Sequence, residues 1–277
     1  MSRSTESLRP SASTVLKPHD QNAGGMRHTP VENRLKFFIY VIESPSAPDL
    51  YHRRSESDMI EQAVGLNGIP SVARMAISRE AFEAAVRIGL REAMQQYPTL
   101  LPILHISAHG DQNGLELSNG DIITWEELRT LLTPANEALQ GGLMVCMSCC
   151  EGYAGIRMAM FEEESALPFF ALVGSSTSPT WPETAIGFAT FYHLVAKGQD
   201  IQDAVAAMRT ASGVSEFFVT TADEQRRSYL DYIKTKMIDA GEVRAELKKE
   251  EKTNVAPGDL AKMAALETGG GQAGGGT

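Results

Sequence analysis

The sequence predicts an α/β fold: a three-layer sandwich in which a mostly parallel sheet of five or six strands carries helices on both faces. Three observations lead there. Short runs that are almost wholly apolar, and rich in β-branched and aromatic residues, recur along the chain, as in strands buried on both sides. Stretches with apolar residues every three or four positions alternate with them. Helix-capping residues and turn formers fall between the two kinds of segment.

The elements follow in order. Leu35–Glu43 (LKFFIYVIE) reads as a buried strand, and SPSAPD after it as a loop. Met59–Gly65 reads as a helix and Ile69–Ile77 as a second strand. Ser78 is placed to cap a helix from Arg79 to about Gln96, with Glu80 in its first turn. Phe82, Val86, Leu90 and Met94 give that helix one apolar stripe. Leu100–Ser107 (LLPILHIS) is the third strand. Asp111–Thr124 is turn-rich and reads as a small hairpin. Thr124-Trp-Glu-Glu127 is a capping box opening a short helix. Leu143–Met147 and Phe169–Val173 are the fourth and fifth strands. Helices are expected at about Glu183–Ala196 and Ile201–Ala211. A second capping box, Thr221-Ala-Asp-Glu224, starts a long charged helix reaching toward Lys252, with Gly241 as a break.

These elements divide the chain. Residues 1–34 are rich in Ser, Pro, Asn and Gly, lack periodicity and read as a disordered lead. Residues 35–220 form the patterned domain. Residues 221–265 are a charged helical extension whose one face docks while the other is solvated. Residues 266–277 are a glycine-rich flexible tail.

Composition narrows the partners. The 277 residues carry 25 Lys and Arg against 35 Asp and Glu, a formal net charge of −10. Phosphate backbones and anionic lipid both attract basic surfaces, so neither nucleic acid nor membrane is an expected partner. There is no apolar secretory leader and no 18-residue apolar span, and the expected setting is a reducing cytoplasm. The 3 cysteines, Cys146, Cys149 and Cys150, lie within five positions, which is no disulfide framework. Cys146-x-x-Cys149 has zinc-like spacing, but a structural site needs four ligands and no second pair exists. No metal or other cofactor is expected.

In parallel sheets the chemistry gathers outside the carboxyl ends of the strands. Ser107-Ala-His109-Gly110-Asp111 follows the third strand, and Ser148-Cys149-Cys150-Glu151-Gly152 follows the fourth. A histidine and a cysteine are thus set to meet in space. That pair suits thiol catalysis: the imidazole takes the thiol proton, the thiolate attacks a carbonyl carbon, and the imidazole later protonates the leaving amine. The N–H groups of Gly110 and Cys150 are candidates to hold the oxyanion. His105, inside the strand, reads as a hydrogen-bonded core histidine, and Cys146 as a core residue. Cys149 is either packing or a thiol that tunes or oxidises its neighbour.

The ordered set of motifs resembles the caspase-like cysteine peptidases, the clan of caspases, separases and gingipain-like enzymes, and within it the CHAT branch. That branch carries H-G after one strand and L-S-A-C-E-[ST]-G after the next. This chain has His109-Gly110 and then Met147-Ser148-Cys149-Cys150-Glu151-Gly152, which puts Cys150 in the nucleophile position and Cys149 in that of the usual alanine. Phe188-Ala-Thr-Phe-Tyr-His-Leu-Val-Ala-Lys-Gly198, followed by Asp200-Ile-Gln-Asp-Ala-Val205, is similar to the branch pattern F-Y-x-x-L-x-x-G-x-x-x-x-x-A-L. The similarity spans about Leu35 to Ala211.

The resemblance implies a cysteine endopeptidase with His109 as general base and Cys150 as nucleophile. The substrate would be a protein or peptide, cut after a basic residue. Control by a partner or ligand, and a place in bacterial defence, come with the same resemblance. Legumain- and metacaspase-like relatives put Asp two residues before the cysteine to line the pocket; Ser148 stands there in this chain. The acids near the motifs are Asp111, Glu151 and Glu183, and each is either a pocket acid binding Arg or Lys or a solvated side chain. Glu183, after the fifth strand, is the first choice. Two other classes stay open: an inactive caspase-like adaptor, and a redox sensor built on Cys149 and Cys150.

Overall fold

The computed structural model describes residues 36–161 and 166–254. The lead 1–34 and the tail 266–277 lie outside the described residues, as does Leu35. The first strand, β1 (Phe37–Glu43), is buried along its whole length. Side chains of a strand alternate between faces. Phe37, Ile39 and Val41 accordingly enter one core, and Phe38, Tyr40 and Ile42 the other. This double burial is what the unbroken apolar run encodes.

The elements in chain order are β1, α1 (Ala47–Tyr51), α2 (Glu56–Gly65), β2 (Ser71–Met75), α3 (Arg79–Ala84), a π-helical turn at Ala85–Gly89, α4 (Leu90–Gln96) and β3 (Leu101–Ser107). Then come β4 (His109–Gly110), β5 (Gly114–Glu116), β6 (Ile122–Thr124), α5 (Trp125–Ala138), β7 (Met144–Ser148) and a 3₁₀ segment at Gly152–Ala159. The described chain ends with β8 (Ala171–Ser175), α6 (Trp181–Ala196), α7 (Ile201–Ser212), β9 (Phe217–Thr221) and α8 (Ala222–Asn254). Six strands form the main sheet in the order β2-β1-β3-β7-β8-β9. All neighbours pair parallel except β8 and β9, which are antiparallel. On one face, Ile60 and Val64 of α2, Phe188, Phe191 and Tyr192 of α6, and Val205 and Met208 of α7 cover the sheet. On the other, Phe82, Val86 and Leu90 join Leu128, Leu131 and Leu132 of α5. The expected α/β architecture with a mostly parallel sheet is what forms.

Several boundaries differ from the sequence expectation. The loop after β1 contains α1, a single helical turn capped by Ser46, which accepts from the Asp49 N–H at 3.2 Å. The third and fourth helices are one run interrupted by the π turn. There the Tyr40 hydroxyl donates to the Ala85 carbonyl (2.7 Å), and the Leu90 N–H also reaches that carbonyl, one residue further than an α-helix allows. The sixth strand, β9, is a Phe-Phe-Val-Thr-Thr run that carries β-branched and aromatic signal. Gly241 does not break α8: one internal glycine costs about 1 kcal/mol, less than helix termination requires. No helix among the described residues is long and apolar enough to cross a membrane.

The first capping box forms as the sequence predicts. Thr124 N–H donates to Glu127 Oε2 at 2.8 Å, and Glu127 N–H donates to Thr124 Oγ1 at 3.2 Å. Thr124→Ala is expected to lower unfolding stability by about 1 kcal/mol, read from urea midpoints at constant slope.

Candidate active site

The register of two neighbouring strands builds the site. Parallel pairing of β3 with β7 sets Ser107 opposite Ser148 at their shared carboxyl ends. His109 and Cys150 each stand two residues beyond that last pair, so the chain brings them out side by side. Both line one cavity, together with Glu43, Ser44, Pro45, Asp49, Arg54, Glu56, Ser107, Ser148, Cys149, Pro179 and Trp181. Its volume is about 140 Å³. That is room for a side chain, below the ~300–1,000 Å³ of a typical small-molecule pocket. Among the described residues no hydrogen bond joins His109 to Cys150; catalytic contacts of this kind often tighten only when substrate binds.

His109 is exposed on β4 and pairs with Glu116 of β5. Gly110, next to it, lies against the cysteine turn. A Cβ at Gly110 would stand 2.9 Å from the Cys150 carbonyl oxygen and 3.1 Å from Cys149 Sγ, so only glycine admits this approach. Cys150 precedes a sharp turn: Glu151 has φ 52, in the left-handed region, and its N–H donates to Thr177 O at 2.8 Å. The turn leaves Cys150 half-buried while Cys149 enters the core.

The three thiols thus separate. Cys146 packs into the core on one face of the sheet and Cys149 into the core on the other, so the Cys146-x-x-Cys149 spacing brings no two sulfurs to one point. Burial pushes the Cys146 thiol up to about 12 and raises that of Cys149 further from its ordinary range. Neither holds a thiolate at neutral pH, and the packed position of Cys149 suits it to filling space under Gly110 and Gly152. Iodoacetamide at pH 8 is expected to alkylate Cys150 in the folded protein and the other two only after unfolding, as read by peptide mass mapping.

Two carboxylates form the floor of the cavity. Glu43, the last residue of β1, is 2% exposed. It accepts from the Glu56 N–H (2.6 Å), the Ser57 N–H (3.2 Å), the Ser57 hydroxyl (2.5 Å) and the Ser55 hydroxyl (2.9 Å). It therefore satisfies the open N-terminus of α2 and pins that helix under the strand ends. Glu56, also 2% exposed, accepts from the Ser107 hydroxyl (2.6 Å), the Ser148 hydroxyl (2.6 Å) and His105 Nε2 (3.2 Å). The other ring nitrogen, His105 Nδ1, lies 2.8 Å from the Tyr192 hydroxyl. His105 is the buried, hydrogen-bonded histidine expected from its place inside the strand.

The acids that the motifs suggested are not among the residues lining this cavity. Asp111 closes the β4–β5 turn, accepting the Asn113 N–H at 2.6 Å and the Gly114 N–H at 3.2 Å. Those bonds hold its carboxyl below the ordinary range. Glu183 caps α6, accepting the Thr180 N–H at 2.6 Å and the Thr180 hydroxyl at 2.8 Å, which lowers its carboxyl likewise. Glu151 lines a separate depression with Tyr153 and Arg157, because its left-handed turn carries it off the cavity side. Glu43 and Glu56 take the floor instead. Glu43 had a signal, as the one charge ending an apolar strand. Glu56 falls outside the helix expected at Met59–Gly65; the helix starts three residues earlier, capped by Ser55, which accepts from the Asp58 N–H.

No family model matches this chain, and no curated protein matches it. The solved structures to which it is similar include the following three. One is the complex of Porphyromonas gingivalis RgpB pro- and mature domains, at 11% identity and TM-score 0.43, covering 68% of this chain and 49% of that chain. Another is a secreted C11 cysteine protease from Bacteroides thetaiotaomicron in complex with an irreversible peptide inhibitor, at 9% identity and TM-score 0.46, covering 69% and 68%. The third is the Arg-specific cysteine proteinase gingipain R, at 10% identity and TM-score 0.40, covering 68% and 48%. The chain spans about half the length of the first and third.

Proposed function

We propose that this protein is a caspase-like cysteine endopeptidase working through Cys150 and His109. The observation that carries the reading is the β3–β7 register, which sets both residues at equal offset beyond adjacent strand ends and on one cavity. In the reaction, His109 takes the Cys150 proton and the thiolate attacks the scissile carbonyl carbon. His109 then protonates the amine as the peptide C–N bond breaks, leaving a thioester. Water, losing a proton to His109, attacks the thioester; the acid departs and the thiol is restored. The Cys150 N–H has no acceptor among the described residues. The Gly110 N–H points out of its hairpin ladder, since Asp111 N–H is the one that donates across to Gly114. Both are free to bind the oxyanion, each at about 3 kcal/mol of transition-state stabilisation.

The preference for a basic residue before the cleaved bond rests on Glu56. Two of the three donors to its carboxylate are neutral hydroxyls, and the cavity's one guanidinium, Arg54, pairs with Asp49 at 3.5 Å. A buried negative charge lacking a cation favours a substrate that brings one. Ser148 stands where the legumain- and metacaspase-like relatives put Asp, and its hydroxyl holds Glu56 at 2.6 Å. The acid of this pocket thus comes from α2. Control by a partner or ligand, and a cytoplasmic setting that keeps Cys150 reduced, complete the reading from the resemblance.

The test is covalent. The full chain is treated with an arginyl chloromethylketone, and the adduct is mapped by mass spectrometry in the wild type, His109→Ala and Cys149→Ala. Adduct on Cys150 that needs His109 and not Cys149 is the expected result. Adduct concentrated on Cys149, or on Cys150 without regard to His109, overturns the dyad.

A further inference from the structure

We propose that Tyr192 holds His105 as the neutral Nε2–H imidazole, and that this keeps the charge of Glu56 uncancelled for the substrate's cation. The inference rests on the reading of Glu56 as the acid that selects a basic side chain. It makes Tyr192 and His105 positioning residues for specificity, with no contact to the reacting bond.

An ionised carboxylate only accepts, so the 3.2 Å contact to Glu56 puts a proton on His105 Nε2. Two states satisfy that contact. In one the ring is neutral and Nδ1 accepts from the Tyr192 hydroxyl. In the other the ring is a cation, Nδ1 donates to Tyr192, and the imidazolium cancels the charge of Glu56. Which state holds depends on where the Tyr192 proton goes. Tyr192 is fully buried and keeps that proton, because burial raises the hydroxyl well above its ordinary range. Among the described residues its hydrogen-bond partner is His105 Nδ1 at 2.8 Å, so the hydroxyl proton goes there. The chain of donors then runs one way, from Tyr192 to His105 to Glu56.

Among the described residues, the other groups that contact the ring are uncharged. Phe188 of α6 meets it edge-on with centroids 4.8 Å apart. Val41 of β1 and Cys146 of β7 stand beside it in the sheet. Glu56 from α2 is the charged side chain it touches.

Two measurements test the proposal on the full chain. In ¹⁵N-histidine-labelled protein, long-range ¹H–¹⁵N spectra at neutral pH are expected to show His105 with the neutral Nε2–H pattern. An imidazolium pattern in the wild type overturns the proposal, whatever any variant does. Second, kcat/KM is compared for paired peptides carrying arginine or its neutral isostere citrulline before the cleaved bond. Glu56→Gln is expected to collapse the preference for arginine. Tyr192→Phe, which frees Nδ1 to take a proton, is expected to reduce it roughly tenfold while leaving kcat on the citrulline peptide unchanged. A preference untouched in Tyr192→Phe but lost in Glu56→Gln overturns the role of Tyr192 alone. A preference untouched in Glu56→Gln overturns this inference and the assignment of the pocket acid together.

Discussion

Cys150→Ala is expected to abolish labelling by the arginyl probe and to cut peptide hydrolysis by at least ~10³-fold, because it deletes the sulfur proposed to attack. His109→Ala should come close to the same loss. In the proposed mechanism the two act as a unit, so the double variant should be little worse than either alone. Burial, not sequence distance, decides that Cys149 offers no substitute: its sulfur lies in the core beneath Gly110 and Gly152. Folding is expected to survive the Cys150 change, since the side chain is only half-buried at the rim of the cavity. Circular dichroism and a thermal scan matched to the wild type, beside lost turnover, are the expected results. Turnover retained in Cys150→Ala would sink the assignment.

Gly110→Ala tests the geometry instead of the chemistry. The added methyl would meet the Cys150 carbonyl oxygen at 2.9 Å and Cys149 Cβ at 3.2 Å. One neighbour is backbone and the other is packed in the core, so the hairpin carrying His109 must move. Overpacking of this kind costs about 1–3 kcal/mol of stability. The displacement separates His109 from Cys150, and about 1 Å of misplacement is enough for a ~10²-fold loss of kcat. The expected outcome is a folded but destabilised protein whose Cys150 still alkylates slowly with iodoacetamide, with peptide turnover strongly reduced. Wild-type kcat in Gly110→Ala would show that the close packing of β4 on the cysteine turn plays no part.

Much of this fold is legible in the sequence. Apolar runs such as Phe37-Phe-Ile-Tyr-Val-Ile42 specify doubly buried strands through composition alone, and such strands pair parallel under helical crossovers. Chemistry at their carboxyl ends then singles out the residues after Ser107 and after Ser148. The capping boxes at Thr124 and Thr221 were equally readable, because each is a local exchange of hydrogen bonds over three residues. The same locality misled at Glu183. Thr180-Trp-Pro-Glu183 carries the spacing of a cap, and that local role takes the carboxylate which position after the fifth strand had suggested for the pocket.

Order of elements, their caps, and the pairing of a histidine loop with a cysteine loop were set by the sequence alone, since each depends on periodicity and on neighbours a few residues apart. The floor of the cavity was decided only in three dimensions. Glu56 accepts from Ser107 and Ser148 and meets His105, and His105 meets Tyr192. Those contacts join α2, β3, β7 and α6 across long stretches of chain. No period or local propensity reports them; they exist because Glu43 anchors the start of α2 beneath the strand ends. A carboxylate that lies outside the helix expected from the sequence thereby becomes a buried group beneath the strand ends.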